Sequence, residues 1–455
     1  MSSSSTVSDA AQATDGVGLR RTLNLPTLIL FGISYMSPVA VFTTYGLINQ
    51  QTEGHLPATY LVATAAMLLT AYSYGRMVAS IPTAGSAYRY ARHAFGPNIG
   101  FMTGWTLMLD YLFLPMVSFL LAGVYLNSIL PGVPAWIFSL ALLTIVLVLN
   151  ILGVKLVSRV SAVIMGLTAI VIGVFVVLGF ARAEVEPGQL FASFTPGSEQ
   201  FPLIVAGAAI LAFSFLGFDG ISTMAEETKD PRKTVPRATL LATLIAGLLF
   251  ALVAWAGNLA HPGTDYANPD AAGVEIMVQL GGQVFGVIFV IVYVLGCFAS
   301  AMVSQASVSR IMLAMGRDRV LPRQLGIVHP RWQTPVVALV VVAVVALLST
   351  VLTIEQAVVM INFGALAAFS MVNLSVMKHY LVDRAERSFS SLLRHGLIPL
   401  LGFGVTAWLW TQLTGPAFIV GFIWVAIGLG YLLWNTRGFT RRMADTDFSE
   451  TGDRA

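Results

Sequence analysis

Apolar stretches long enough to cross a bilayer recur from one end of this 455-residue chain to the other. Each is about 18 residues or longer, the length that a helix needs to cross the hydrocarbon core. Apolar residues make up 56% of the chain and charged residues only 10%, which is too few to cover the surface of a soluble fold of this size. The sequence therefore predicts an all-α membrane protein.

The apolar stretches divide into twelve predicted membrane spans. Their approximate boundaries are 25–49, 56–81, 99–127, 133–152, 158–181, 201–228, 236–260, 276–313, 334–352, 355–379, 397–413 and 416–434. Residues 1–24 are polar without an apolar run and predict a disordered N-terminal tail, and residues 435–455 predict a C-terminal tail. An even number of spans places both tails on the same side of the membrane.

The basic residues lie almost entirely on one side of the membrane in this topology. Of the 25 Lys and Arg residues, 24 fall in the tails, in alternate loops or at the adjoining span ends, and only Arg182 falls on the other side. Loops rich in Lys and Arg stay in the cytoplasm. We therefore expect a multi-pass protein of the cytoplasmic (cell) membrane with both termini in the cytoplasm. The same bias accounts for the net charge of +3 without a nucleic-acid partner.

Two of the spans are interrupted by residues that do not suit a membrane helix. Span 1 is broken at 32–38 (GISYMSP) and span 6 at 214–219 (SFLGFD). Backbone hydrogen bonds open inside a bilayer only where the break lines a cavity, so the breaks predict a binding site at mid-depth. They lie five spans apart with opposite topology, which predicts two inverted five-span repeats with spans 11 and 12 appended. A simple proline kink in span 1 is the alternative.

Four stretches together resemble the amino acid–polyamine–organocation (APC) superfamily of permeases. They are 82–88 (PTAGSAY), 150–155 (NILGVK), 217–238 (with GFD, EETKDPRK and VPRA) and 309–335, which begins SRIMLAMGRD. Within the superfamily, 33–42 (ISYMSPVAVF) and 109–113 (LDYLF) are most similar to putrescine importers of bacteria. The resemblance covers about residues 20–435.

The resemblance implies the leucine-transporter fold for residues 25–434, a substrate site between the broken spans, and secondary active transport. With the composition of the breaks, it favours these substrate-binding residues: Ile33, Ser34, Tyr35, Met36, Ser37, Asp110, Tyr111, Phe213, Ser214, Phe215, Gly217 and Asp219. Phe213 stands where related antiporters have a gating aromatic residue.

The sequence defines the ion that couples to transport less closely than it defines the substrate site. The candidates for coupling or gating are Asp110, Asp219, Thr168, Ser300 and Ser304. Thr168 stands at the place of a span 5 lysine that is thought to replace a sodium ion in some relatives. The resemblance to putrescine importers favours protons over sodium as the coupling ion.

The first break favours an amine over a carboxylate as the ligand. Ser37 and Pro38 predict the start of the outer half-helix, and we expect the inner half to end near 32–33 with free carbonyl groups. Amino-acid carriers of the superfamily usually have a small Gly-x-Gly break here, whose amides hold an α-carboxylate. Ile33 and Tyr35 are bulky and leave less room for one. An α-amino-acid importer or exchanger of the same fold is the alternative.

Two carboxylates fall well inside the predicted spans, out of 22 Asp and Glu residues. Asp110 lies about 15 Å of helix after Gly100, and Asp219 directly follows the second break. We predict no Lys or Arg at that depth to pair with them, so they suit a diamine ligand or the carriage of protons. The alternatives are that Asp219 caps a helix and that Asp110 links neighbouring helices.

Two further sets of polar residues predict structural or functional contacts. Glu226 and Glu227, at the cytoplasmic end of span 6 among Lys229, Arg232 and Lys233, predict an ion network that gates or stabilises the fold. Span 8 has a polar stripe that either faces the broken spans or packs helices together, formed by Ser300, Ser304, Gln305 and Ser307.

The sequence does not indicate an enzyme, a metal site or a cofactor. The 6 His residues fall in loops or at span ends, and the single Cys297 lies in an apolar span, where a small core residue is the ordinary interpretation. A channel would not need half-helices at an occluded midplane. The oligomeric state is left open, with a homodimer among the options.

Overall fold

The computed structural model describes residues 19–130, 132–183, 189–267, 272–352 and 354–437. Within these ranges the chain forms α-helices and no β-strand, which confirms the all-α prediction. The helices are α1 (Leu25–Met36), α2 (Tyr45–Gln51), α3 (Leu56–Ser80), α4 (Ser86–Phe95), α5 (Pro97–Ile129), α6 (Ala135–Leu152), α7 (Val154–Ala181), α8 (Gln200–Leu211), α9 (Gly220–Thr223), α10 (Pro231–Ala260), α11 (Ala272–Arg317), α12 (Val336–Ala346), α13 (Ile354–Met377), α14 (Phe389–Ser391), α15 (Ile398–Trp410) and α16 (Gly415–Asn435).

Among the described residues, 11 helical stretches are long and apolar enough to cross a membrane. They correspond to the predicted spans except the ninth, 334–352, which is a shorter apolar segment, Val336–Thr350, made of α12 and one 3₁₀ turn. The count of twelve spans therefore stays a prediction. Helix ends differ from the predicted ones by a few residues: the fifth and seventh spans begin earlier, at Val154 and Pro231.

Most of both predicted tails lies outside the described residues, which begin at 19 and end at 437. Of the N-terminal tail, Thr22 and Leu23 donate backbone hydrogen bonds to the carbonyl of Glu227 at 2.8 and 2.9 Å. Leu23 also accepts one from Lys229 and is buried. The chain is therefore attached to the end of span 6 before α1 begins.

The first break begins at Ser37, later than the expected helix end near 32–33. Gly32 serves close packing instead, since a Cβ there would lie 2.4 Å from the Ile221 side chain. The helix ends at Met36, and Ser37 (φ 51°, ψ 96°) is not helical because Pro38 disfavours helical geometry in the residue before it. A 3₁₀ turn, Pro38–Phe42, follows, and the Ser37 side chain makes no capping hydrogen bond to it.

The second break lies where the sequence predicts it. After α8 the chain forms a 3₁₀ turn, Ala212–Phe215, and an α-helix resumes only in the short α9. Gly217 between them has a φ of 112°, and a Cβ there would lie 2.5 Å from Cγ of Tyr35. A Cβ on Gly220 would lie 2.3 Å from the same ring. The two breaks therefore pack directly against each other, which requires glycine at 217.

Counterpart spans of the two predicted repeats pack in pairs. Helix α3 packs on α10, which are spans 2 and 7, and α5 packs on α11, which are spans 3 and 8. Helix α1 contacts α9, which belongs to span 6. This pairing agrees with two inverted repeats built around the broken spans.

The bundle has two ends, a basic side and an opposite side. The basic side is the end where α4 and the C-terminal end of α11 meet the residues after α9, and it carries Arg92, Arg310 and Arg317. The opposite side is the end where the chain after α2 meets the end of α10. There the Asn258 side-chain amide donates to the Gly54 carbonyl at 2.6 Å.

Candidate functional site

A cavity of about 320 Å³ lies beside the two breaks. Spans 1, 3, 6 and 8 supply most of its wall, which includes Tyr35, Met36, Ser37, Leu114, Val117, Phe213, Ser214, Tyr293, Cys297 and Ser300. Apolar side chains predominate, with a few hydroxyl groups among them. A concave site of this composition suits a small organic ligand that is held by apolar contact and oriented by a few polar groups.

The cavity opens toward the opposite side and is closed toward the basic side. Thr43, which lines it just beyond the first break, is exposed. In the other direction every residue of 215–225, which covers the end of the second break and α9, is buried. Access to the cavity is therefore from one end of the bundle.

Ion pairs hold the basic side together. Arg310 Nε on α11 lies 2.7 Å from Glu227 Oε1, and these two side chains are only 1% and 3% exposed. Arg317 Nη1 lies 2.7 Å from Glu226 Oε2. Because both carboxylates follow α9 and both arginines lie on α11, the two pairs join span 6 to span 8.

A second cluster joins α4 to the end of α11. Asp318 Oδ2 accepts hydrogen bonds from Arg92 Nη1 at 2.6 Å and from Tyr88 Oη at 2.5 Å, and Arg89 Nη1 lies 3.0 Å away. Burial, and then the charge of Asp318, raise the pKa of Tyr88, so its hydroxyl stays protonated and donates.

The ion network predicted at Glu226 and Glu227 is present, and its partners are Arg317 and Arg310 on α11. The sequence neighbours point into solvent instead, where Lys233 forms an exposed pair with Asp230 at 3.8 Å. The cause is the start of α10, which carries 231–233 away from the carboxylates. The signal for the true partners is the spacing of Arg310 and Arg317, two turns apart on one face of a helix.

Asp110 and Asp219 are buried beneath the cavity wall and do not line it. They are 2% and 1% exposed. The Tyr111 hydroxyl donates to Asp219 Oδ2 at 2.6 Å, whereas Asp110 Oδ1 has no hydrogen-bond partner. The two carboxylates are close enough to interact electrostatically, and within the described ranges neither forms an ion pair with Lys or Arg.

Helix geometry relates Asp110 to the cavity. The cavity-lining residues of α5 are Leu114, Val117, Ser118 and Leu121. Their spacing marks one face of the helix, and Asp110 lies on that face one turn closer to the basic side. The carboxyl group therefore lies just below the cavity floor.

Tyr35 lies between the cavity and the two carboxylates. It lines the cavity, and its ring meets that of Tyr111 edge-on with centroids 6.1 Å apart. Its backbone carbonyl accepts a hydrogen bond from Ser300 Oγ at 2.9 Å, and its ring packs against Gly217. Span 8 thus fixes the backbone of the first break, and the ring forms the floor of the cavity.

The other predicted site residues are buried or partly buried. Ser34 and Thr168 are buried, and neither hydroxyl has a hydrogen-bond partner. Ser304 Oγ donates to the Ala301 carbonyl within its own helix. Ile33 is partly buried on α1, and Phe215 lies behind the wall, where it packs edge-on against Phe250 at 5.4 Å.

Asp219 is the residue that precedes α9, but its side chain makes no capping hydrogen bond. In the polar stripe of span 8, Ser300 bonds to the first break, and Ser307 Oγ would lie 3.0 Å from a Cβ on Gly220. Gln305 lies elsewhere and bonds to Asn150 and to the Leu339 carbonyl. The stripe therefore divides into a face toward the breaks and a packing face.

Sequence reasoning missed several residues of the cavity wall. Thr43, Tyr293 and Cys297 line it, although Cys297 was interpreted as a plain core residue. Cys297 lies about one turn before Ser300, so helical periodicity on α11 was the available signal. No sequence signal marks Thr43, because its exposure depends on which end of the bundle is open.

The chain forms an apolar helical bundle with two broken spans around a cavity, and the cavity opens at one end only. This is the architecture of a secondary transporter. The chain belongs to the amino acid permease family, whose profile matches residues 27–440, and so to the APC superfamily. Its fold is that of the leucine transporter, and it is a multi-pass protein of the cell membrane.

Curated relatives match most of the chain and are named as permeases, importers or transporters. The low-affinity putrescine importer PlaP of Escherichia coli (strain K12) is 38% identical over 433 residues, 94% of this chain and 96% of that protein. The branched-chain amino acid permease BcaP of Bacillus subtilis (strain 168) is 29% identical over 82% of this chain and 83% of its own length. The methylthioribose transporter of the same bacterium is 26% identical over 92% and 94%.

Proposed function

We propose that this chain imports a small amine, a diamine such as putrescine, across the cytoplasmic membrane by alternating access. The observation that carries the proposal is the pair Asp110 and Asp219, two carboxylates just below a cavity with no Lys or Arg bonded to them in the described ranges. A diamine supplies the two missing positive charges. The relative that is 38% identical is named a putrescine importer, which supports this substrate class.

The ligand enters the cavity from the opposite side, and Tyr35 is its first polar contact at the floor. A ring face attracts an ammonium group, and the apolar wall accommodates a methylene chain. Displacement of the Tyr35 ring then brings the ammonium groups to Asp219 and Asp110. Phe213, on the wall at the second break, closes over the ligand as a gate.

The basic side is cytoplasmic in this proposal, with both termini in the cytoplasm. Support comes from the 24 of 25 Lys and Arg residues that the predicted topology places there. The described state is then open to the outside and ready to load substrate.

Protons rather than sodium ions couple to transport. A carboxylate at this depth that lacks a basic partner binds a proton readily, so Asp110 or Asp219 is the candidate proton carrier.

Import of an α-amino acid is the second candidate function. The family profile and the relative BcaP favour it, since both are named for amino acids. Under this alternative the ligand's carboxylate needs a donor at the first break, where Ile33 and Tyr35 are bulky.

Uptake of labelled putrescine into proteoliposomes tests the proposal. Unlabelled diamines should compete, whereas leucine and other neutral α-amino acids should not. Competition by neutral α-amino acids alone would establish the second candidate. Uptake driven by a proton gradient without sodium, compared with a sodium gradient at equal pH, identifies the coupling ion.

A further inference from the structure

We propose that a cationic site at the basic-side end of α3 binds the phosphate of an anionic membrane lipid. The site consists of Arg76 and Tyr72 on α3, and of Arg394 and His395 in the π-helical turn Leu392–Leu397 that leads into α15. It lies on the outer surface of the bundle, away from the transport cavity, and does not depend on which substrate is carried.

Arg76 lies at the basic-side end of a stripe of α3 residues that is exposed at its other end. Leu61 and Ala65 on α3 are exposed, and Leu68, Tyr72 and Arg76 follow as partly buried residues. These positions are three or four residues apart, so they form one stripe along the outside of the helix. Apolar residues occupy the part of the stripe at mid-membrane depth, and Arg76 ends it near the head groups.

The guanidinium group of Arg76 has no counter-ion in the described chain. It lies 5.1 Å from the centroid of the Tyr380 ring, and its Nε is buried without a hydrogen-bond partner. Tyr72 is close enough to Arg76 and to Arg394 to interact electrostatically with both. Arg384 adds a further positive charge 5.2 Å from the Tyr380 centroid.

The nearby carboxylates are occupied by other partners. Asp383 pairs with Lys378. Glu386 Oε2 lies 3.3 Å from His395 Nδ1 and accepts from Ser391 Oγ at 2.9 Å. His395 is itself buried, and its Nε2 has no partner. The arginines therefore offer several unused donors to one anion.

The rim of the site indicates a lipid and not a soluble anion. Phe389 is 84% exposed, and Leu392 and Leu393 beside it are 48% and 44% exposed. Apolar side chains with this exposure next to arginines are typical of a segment that lies in the membrane interface. A basic pocket between spans at this level binds the head group of an anionic lipid, while the apolar rim contacts its acyl chains.

The test measures the melting temperature of the detergent-purified full-length protein against added ligand. Phosphatidylglycerol, phosphatidylcholine and inorganic phosphate are titrated separately, because a ligand that binds the folded state raises the melting temperature. The variants are Arg76→Gln and Arg394→Gln, with Arg323→Gln as the control for loss of one exposed arginine elsewhere on the basic side.

We expect phosphatidylglycerol alone to stabilise the protein. Each of the two site variants should need about fivefold more of this lipid, because that factor is the contribution of one arginine to binding at a membrane surface. Arg323→Gln should match the wild type. Equal stabilisation by phosphatidylcholine, equal responses of all three variants, or a response to inorganic phosphate as large as that to the lipid would each overturn the proposal. Arg394→Gln decides alone if Arg76→Gln does not fold, because the Arg394 side chain is exposed.

Discussion

Asp110 and Asp219 are the residues whose chemistry most restricts what this transporter can carry. An ionised carboxylate loses several kcal/mol of hydration when it is buried, unless a positive group or hydrogen-bond donors replace the water. Tyr111 supplies one donor to Asp219, and Asp110 Oδ1 has none. The proposed function assigns the missing positive charge to the ligand, so the two residues are open to a direct test.

We expect Asp110→Asn and Asp219→Asn each to reduce putrescine uptake strongly while the protein still folds. The amide keeps the volume of the carboxyl group but removes its charge. Loss of a buried charge partner costs about 2 kcal/mol or more, which corresponds to about a 30-fold rise in KM. Proteoliposome uptake measures KM, and size-exclusion chromatography checks the fold.

Asp265→Asn is the matched control, because it makes the same chemical change at an exposed position on the opposite side. Its uptake should equal that of the wild type. Near-normal KM in both buried variants would assign Asp110 and Asp219 to helix packing and remove the basis for a diamine.

The helices, the two breaks and the cavity wall differ in how well the sequence predicts them. Helix positions and the second break follow from apolar length and from the residues 214–219, because those signals are local. The first break was placed too early, since Gly32 resembles a helix end but packs against Ile221. The cavity wall and the partners of Glu226 and Glu227 were missed because they depend on how α5, α9 and α11 pack.

We expect Gly217→Ala to destabilise the protein and to abolish uptake. Its φ of 112° costs a residue with a side chain about 1–2 kcal/mol, and the new methyl group would lie 2.5 Å from Tyr35 Cγ. Gly282→Ala separates the two effects, because Gly282 also has a positive φ (71°) but no atom within 4 Å of an added Cβ.

Gly282→Ala should therefore lower the melting temperature less and leave uptake measurable. If the two variants behave alike in both assays, the contact between the two breaks has no role in transport, and only backbone strain matters.

On the scale of the whole molecule, ion pairs and the cavity lie at opposite ends of the same elements. Spans 6 and 8 carry Glu227 and Arg310 on the basic side and cavity-wall residues farther along. Alternating access requires that the cavity close at one end when the other opens. The pair Glu227–Arg310 belongs to the state that is closed on the basic side, so its loss should favour the reverse state.

The single cysteine gives a direct measure of which state is populated. Cys297 lines the cavity, and the chain has no other thiol. A membrane-impermeant maleimide added outside right-side-out vesicles should label it, and saturating putrescine should protect it by filling the cavity. Labelling that is unchanged by putrescine but blocked by a neutral α-amino acid would point to the second candidate function.

Glu227→Gln should slow this labelling, because breaking a buried ion pair costs more than about 1.4 kcal/mol and so changes the ratio of the two states at least tenfold toward the reverse state. Asp230→Asn is the control, since it removes a carboxylate from the same side whose pair with Lys233 is exposed and 3.8 Å long. Exposed pairs contribute little, so its labelling should match that of the wild type. Unchanged labelling in Glu227→Gln, with the melting temperature also unchanged, would show that the buried pair does not hold the basic side closed.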